Sequence, residues 1–221
     1  MGKRGPKPKP EPVWSPDFAY AVGLLATDGC LSSDGRHITL VSKDLQQLEN
    51  FKKALRLEHI AIGATKSGYN RKSCTRIQFG DVTLYRFLVK IGLTPNKSKT
   101  IDALKIPPEY FFDFLRGSFD GDGCTHSYWD PRWRSSFMFY TIFGSASRDH
   151  VLWLQKEIFG RTGIRGHITG KGKVRTVYQL KYAKRESLVL LRSLYGKKDS
   201  MHLSRKRLKI EQMLGIIGER L

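Results

Sequence analysis

Apolar residues recur along this chain with two periods, and the periods alternate in a fixed order. From Phe18 to Thr27 nearly every position is apolar, behind Ser15-Pro16-Asp17, which supplies a hydroxyl cap, a proline for the first turn and an early acid. This reads as a first helix. Leu45, Leu48, Phe51 and Leu55 fall on one face of a second, capped by Ser42-Lys43-Asp44, and Leu84, Phe87, Leu88 and Ile91 mark a third, stopped at Gly92. Strand patterns lie between them. Cys30 to Ser33 and Arg36 to Val41 flank Asp34-Gly35, a dipeptide that closes tight hairpins, and a second hairpin runs from about Ala61 to Phe79 through Gly68-Tyr69-Asn70. The predicted order is helix, two strands, helix, two strands, helix.

The order then repeats. Residues 94–108, punctuated by Pro95, Asn96 and Pro107-Pro108, read as a linker. After it come an apolar helix from Glu109 to Phe119, a longer hairpin from Cys124 to Phe143, and a helix through Val151, Leu152, Ile158 and Phe159 that ends at Gly163. Ser147-Arg148-Asp149 matches Ser42-Lys43-Asp44 as its cap, and the extra residues of this copy fall around Asp130-Pro131, where a loop accepts insertions. A fourth hairpin, Arg165 to Tyr182 through Gly170-Lys171-Gly172, precedes a helix with Leu188, Leu191 and Leu194. The chain thus divides into an arm (1–13), a first half (14–93), a linker (94–108), a second half (109–196) and a basic C-terminal extension (197–221). Ile210, Met213, Leu214 and Ile217 give that extension a helix expected to dock on the second half.

The repeat is tightest in two stretches, VGLLATDGC at Val22–Cys30 and LRGSFDGDGC at Leu115–Cys124. Gly23 answers Gly117, Asp28 answers Asp122, Gly29 answers Gly123 and Cys30 answers Cys124, each pair 94 positions apart, which predicts a pseudo-twofold molecule. Small residues at Gly23, Ala26, Gly117 and Gly121 would let the two helix backbones approach closely, bringing both aspartates to the foot of a shared seam. One apolar helix ending in Asp-Gly is simply a helix stop; the duplication asks for more. An aspartate at a helix C-terminus faces the negative end of the dipole, and two together repel unless a cation lies between them. Oxygen ligands alone favour Mg²⁺ or another hard divalent ion.

The duplicated motif resembles the signature of the LAGLIDADG homing endonucleases in their single-chain, two-motif form, over nearly everything from Trp14 to about Tyr195. The resemblance implies an α+β fold of two pseudo-twofold-related αββαββα halves, each with a four-stranded antiparallel sheet forming a DNA-binding saddle. It also implies a site-specific cut of both strands across the minor groove, leaving short 3′ overhangs. Asp28 and Asp122 correspond to the family's metal-binding acids, with Gly29 and Gly123 in the same site. Two or three Mg²⁺ ions are expected, Mn²⁺ or Ca²⁺ substituting for binding. The family places a polar or basic side chain near each scissile phosphate, and aligning the second hairpins puts Gln78 and Lys181 there as catalytic residues. The first motif carries Ala26 where the family commonly has an earlier acid; the second keeps Asp120.

Charge sharpens the choice of partner. The 221 residues hold 39 Lys and Arg against 20 Asp and Glu, a net +19, which points to a polyanion because each neutralised phosphate releases counterions. The segment 1–13 contributes only +3, so the excess belongs to the folded body; its KRGPKPKP is either a solvated arm or one that follows a DNA groove. No apolar run approaches the roughly 20 residues of a membrane span, and no signal peptide is visible. Three cysteines without a CxxC pair argue against a disulfide framework or zinc site and suggest an intracellular protein, cytoplasmic in a prokaryote or organellar. Cys30 and Cys124 are expected to open strands as small buried residues.

Alternate strand positions select the binding faces. Arg165, His167, Thr169, Lys171, Lys173, Arg175, Val177, Gln179 and Lys181 share one parity, and Arg36, Thr39, Lys66, Arg71, Lys72, Arg76 and Gln78 give the first half a less regular face. A two-stranded ribbon fits the DNA major groove, where Arg and Lys pair with guanine and Gln with adenine. In the long hairpin Tyr128, Trp129 and Trp133 interleave with Arg132 and Arg134, either to stack on bases or to pack across strands. The reading is a monomeric, Mg²⁺-dependent double-strand DNA endonuclease acting in intron homing. An opening Met and no terminal His-Asn pair favour a free-standing or intron-encoded enzyme over an intein. Its rivals are a cleavage-inactive protein of the same fold, an RNA maturase or DNA-binding regulator, and a nucleic-acid chaperone driven by charge alone.

Overall fold

A computed structural model describes residues 10–67, 72–171 and 177–221. The first half runs α1 (Pro16–Thr27), β1 (Gly29–Leu31), β2 (His37–Ser42), α2 (Leu45–Ala54), β3 (Gly63–Ser67), β4 (Lys72–Gly80) and α3 (Val82–Lys90). The second runs α4 (Phe111–Asp122), β5 (Cys124–Trp129), β6 (Phe137–Ser145), α5 (Arg148–Thr162), β7 (His167–Lys171), β8 (Val177–Tyr182) and α6 (Lys184–Tyr195), followed by α7 (Ser204–Gly215). Each half carries an antiparallel four-stranded sheet, ordered β1-β2-β4-β3 in one and β5-β6-β8-β7 in the other. The predicted Gly68-Tyr69-Asn70 turn and Gly172 lie outside the described residues.

The two central helices carry the molecule. Ser15 caps α1 by accepting from the Phe18 N–H at 3.1 Å, and every residue from Phe18 to Ala26 is buried, as expected for a helix apolar on all sides. It lies backbone to backbone on α4. A Cβ on Gly23 would stand 2.2 Å from Phe114 O, and one on Gly117 would stand 2.1 Å from Tyr20 O. Only hydrogen fits at either place. On each sheet one face packs under its helices through Ile38, Leu40, Ile77 and Phe79, or through Phe139, Phe143, Leu180 and Tyr182; the other face turns away.

Three expectations change. The caps pair differently: Asp44 caps α2 and Ser147 caps α5, while Ser42 and Ser145 each bond the cap residue's N–H, so the sequence match of Ser42-Lys43-Asp44 to Ser147-Arg148-Asp149 is displaced by two positions. The linker is packed structure. Ile101 and Leu104 are buried, Ile101 O accepts from the Ser147 hydroxyl at 2.5 Å, and Asp102 O lies 2.9 Å from His150 Nδ1. The C-terminal extension bridges both halves: it buries Leu203, Ile210, Met213 and Leu214, and it also reaches α2, where Ser204 and Gln46 exchange two hydrogen bonds, Asn50 donates to His202 O and Arg205 pairs with Asp44. Buried Arg116, paired with Asp113 of its own helix, fastens α4 to this segment through Met201 O and to α6 through Leu194 O.

Candidate functional site

Asp28 follows the last turn of α1 and Asp122 closes α4, so the close helix pair delivers both carboxylates to one place. Their proximity shows in the electrostatics. Burial and then the negative charge of Asp122 raise the Asp28 pKa, and a Cβ on Gly121 would sit 3.0 Å from Asp28 Oδ2. Asp122 is exposed, yet desolvation by the protein around it still raises its pKa, opposed by Lys206 and Lys97. The glycines that follow are required by sterics. Gly123 is extended (φ −73°, ψ 154°), and a Cβ there would strike the Phe119 ring at 2.2 Å, as one on Gly29 would strike Leu25 Cα at 2.6 Å. The left-handed helix stop that Asp-Gly suggests is absent from both.

Three further side chains enter the site. Gln47, buried in α2, donates its amide to Asp28 Oδ2 at 2.5 Å. Lys97, from the segment between the halves and 7% exposed, donates to Gly29 O at 2.5 Å; Lys206 of α7 donates to Phe119 O (2.5 Å), Gly123 O (2.6 Å) and Gly121 O (3.2 Å). Burial lowers the pKa of both ammoniums, that of Lys206 to about 8, while Asp28 opposes the shift in each. Each motif glycine carbonyl is thus held by a lysine. Asp120, the earlier acid of the second motif, faces inward: it accepts from Tyr195 OH (2.6 Å), Tyr20 OH (2.8 Å) and Leu203 N (2.8 Å), tying α4 to α1, α6 and the extension. Among the described residues no cluster of three or more His, Cys, Asp or Glu is placed to hold a metal. The donor set is two carboxylates, which suits an ion that keeps water and phosphate ligands, as Mg²⁺ does.

Strand register assigns the face turned from the helices. In the first half a row crosses the sheet from Cys30 to Thr39 to Gln78; in the second the corresponding row is Cys124, Ile142, Lys181 and His167. Gln78 and Lys181 therefore occupy equivalent positions, on rows that start two residues beyond each aspartate. Arg76 lies beside Val41, and Thr169 beside Gln179, on the same faces. Cys30 and Cys124 are exposed on them, contrary to the buried role expected from their small size.

Other predicted binding residues stand elsewhere. Lys66 pairs with Ser73, on the parity of Thr75 and Ile77, so it faces the helix side. Arg36 lies in the β1–β2 turn against Gly80, beside Val82 and Tyr85 of α3. Arg165 precedes Gly166, whose φ of +58° breaks the strand alternation, and its N–H is bound by Glu186. In the long hairpin Tyr128 stacks on Tyr140 (ring centroids 6.4 Å apart, planes at 13°), Trp129 packs on Phe137 from the opposite face, Trp133 is 67% exposed, Arg134 is exposed, and Arg132 chelates Asp130. Lys72 opens β4 and Lys171 closes β7, while Arg71, Lys173 and Arg175 lie outside the described residues. No helix among the described residues is long and apolar enough to cross a membrane.

This arrangement, two antiparallel sheets hung from a close pair of motif helices, is the LAGLIDADG fold in its single-chain, two-motif form, and solved structures match it. The homing endonuclease I-WcaI bound to its DNA recognition sequence superposes with a TM-score of 0.59 at 12% identity, covering 89% of this chain and 88% of that one. The LAGLIDADG meganuclease I-AabMI bound to uncleaved DNA gives 0.55 at 15%, covering 94% and 99%. Full-length DUF199/WhiA from Thermatoga maritima gives 0.58 at 14%; the match takes in 94% of this chain but only 62% of that protein. No family model and no curated protein matches the sequence.

Proposed function

We propose that the chain is a site-specific double-strand DNA endonuclease that hydrolyses one phosphodiester bond in each strand of a long, asymmetric target with Mg²⁺. The observation that carries this reading is the convergence of Asp28 and Asp122, two carboxylates raised in pKa and each set at the entry to one sheet. Divalent ions held by Asp28 and Asp122 would supply an activated water and neutralise charge developing at phosphorus. The carbonyls of Gly29 and Gly123 already accept from lysines, so water and DNA phosphates would complete the coordination.

The chain's own residues do the rest. Lys97 and Lys206 keep two fixed cations beside the carboxylates and lessen their repulsion, a role sequence reasoning had not given them. Gln47 fixes the Asp28 carboxylate. Lys181 and Gln78 lie on the rows leading from the aspartates, and there they would bond a phosphate oxygen or its water. Arg76, Thr39, Gln179, Thr169 and His167 would read or position a duplex lying across the faces. Both halves are on one chain, so a monomer suffices. The DNA-bound state of I-WcaI and I-AabMI supports duplex DNA as the partner.

A second reading, a DNA- or RNA-binding protein of this fold that does not cut, is favoured by the lysines that occupy the motif carbonyls. A plasmid carrying a target selected from a randomised library separates them. The endonuclease linearises it with Mg²⁺ and leaves it supercoiled with chelator; specific binding without cutting under Mg²⁺ or Mn²⁺ selects the second reading. Binding with no preference among sequences and a collapse of affinity with salt would select the charge-driven chaperone.

A further inference from the structure

The free faces of the two sheets are built from equivalent rows and differ in chemistry. In the first half Arg76, Gln78 and Cys30 are exposed on this face, with Thr39 and Val41 half-buried, so its longest exposed side chains are hydrogen-bonding groups. In the second, β5 and β6 place Cys124, His126, Tyr128, Met138, Tyr140 and Ile142 on the corresponding side, in register as Tyr128 opposite Met138, His126 opposite Tyr140 and Cys124 opposite Ile142. Met138, Tyr140 and Ile142 are half-buried, and Tyr128 is 38% exposed and stacked on Tyr140. On the same face of β7 and β8, Val177 is 42% exposed, and His167, Thr169, Gln179 and Lys181 form a polar edge beside it.

The apolar side chains of this face, Met138, Ile142, Val177 and the Tyr128–Tyr140 pair, lie between Lys181 on the Ile142 row and Arg132 and Arg134 in the β5–β6 loop, in a protein of net charge +19. Aliphatic side chains offer nothing to a phosphate or to the donors and acceptors of a base edge. In the major groove the apolar group is the C5 methyl of thymine. Resting on the DNA-binding reading above, we propose that the second half selects a thymine-rich arm of the target by packing Met138, Ile142 and the Tyr128–Tyr140 pair against thymine methyls. The first half reads its arm by hydrogen bonds from Arg76 and Gln78.

Replacing thymine with uracil removes the methyl and leaves base pairing intact, so the test needs no protein variant. The full chain is titrated with labelled duplexes of the selected target, uracil replacing thymine in one arm at a time, with Ca²⁺ in place of Mg²⁺. The expected result is a loss of about fourfold in affinity per methyl contacted, the scale of one buried methylene, confined to one arm. Ile142→Thr should reduce that arm's response and leave the other arm unchanged. A selected target bound equally well with thymine or uracil in both arms overturns the methyl contacts while leaving specific DNA binding intact. A selection that yields no preferred sequence overturns the DNA reading beneath them.

Discussion

A methyl group on Gly117 would stand 2.1 Å from the Tyr20 carbonyl oxygen, so the spacing of α1 and α4 depends on single hydrogen atoms. Gly117→Ala must push the helices apart; a loss of about 3 kcal/mol is expected from such overpacking, read as a lower denaturation midpoint at unchanged m-value. Wild-type stability would show that the helices are not in contact there. A second residue makes a pH prediction. His150 is buried, desolvation lowers its pKa below the usual histidine value, and its Nδ1 faces the carbonyl of Asp102. The unfolded chain then takes up the proton first, so stability rises with pH through the window between the folded pKa and about 6.5 and is lost on acidification through it. His150→Gln should remove that part of the acid sensitivity in melts across the window, and an unaltered pH profile would contradict the buried, neutral ring. Residue by residue, the sequence showed the glycines, because a duplicated small-residue pattern has one simple physical meaning. Lys97, Lys206 and Gln47 were not legible. A lysine in a proline-punctuated segment looks solvated, and nothing in its neighbourhood reveals a carbonyl 68 positions away.

At the scale of elements, strand parity was readable wherever alternation was regular, which is why Gln78 and Lys181 fell into equivalent rows. It failed where the chain left the strand, at Gly166 before β7 and in the turn at Arg36, and at Lys66, whose pairing with Ser73 sets it on the helix-side parity. Helix α7 was recognisable as amphipathic, but its reach to both halves was not, since Gln46 and Ser204 lie 158 positions apart. That reach has a consequence. Ending the chain after Ser200 removes four buried apolar side chains, each contributing about 1.5–3 kcal/mol, together with the Leu203 N–H on Asp120 and the lysine on three α4 carbonyls. That approaches the whole stability of a typical domain, about 5–15 kcal/mol. The truncated chain is expected to lose its cooperative thermal transition in circular dichroism. A transition kept within a few degrees of wild type would mean that the extension is dispensable.

At the scale of the whole molecule, two halves of one chain present two faces of different chemistry and two aspartates in one place. The arrangement suits a partner that is long, anionic and asymmetric. Partly desolvated like charges are costly to hold together, so Asp28→Asn is expected to raise the metal-free melting temperature by a few degrees, 1 kcal/mol being worth about 2–4 °C at this size; a fall would show that the carboxylate is already fully compensated by Gln47 and the lysines. The most direct measurement of the shared site is strand-resolved cutting of a selected target by Asp28→Asn, Asp122→Asn and wild-type protein in Mg²⁺. Wild type should sever both strands, and each variant should bind the target yet fail to make the double-strand break. Undiminished double-strand cutting by both variants would contradict the account at its centre.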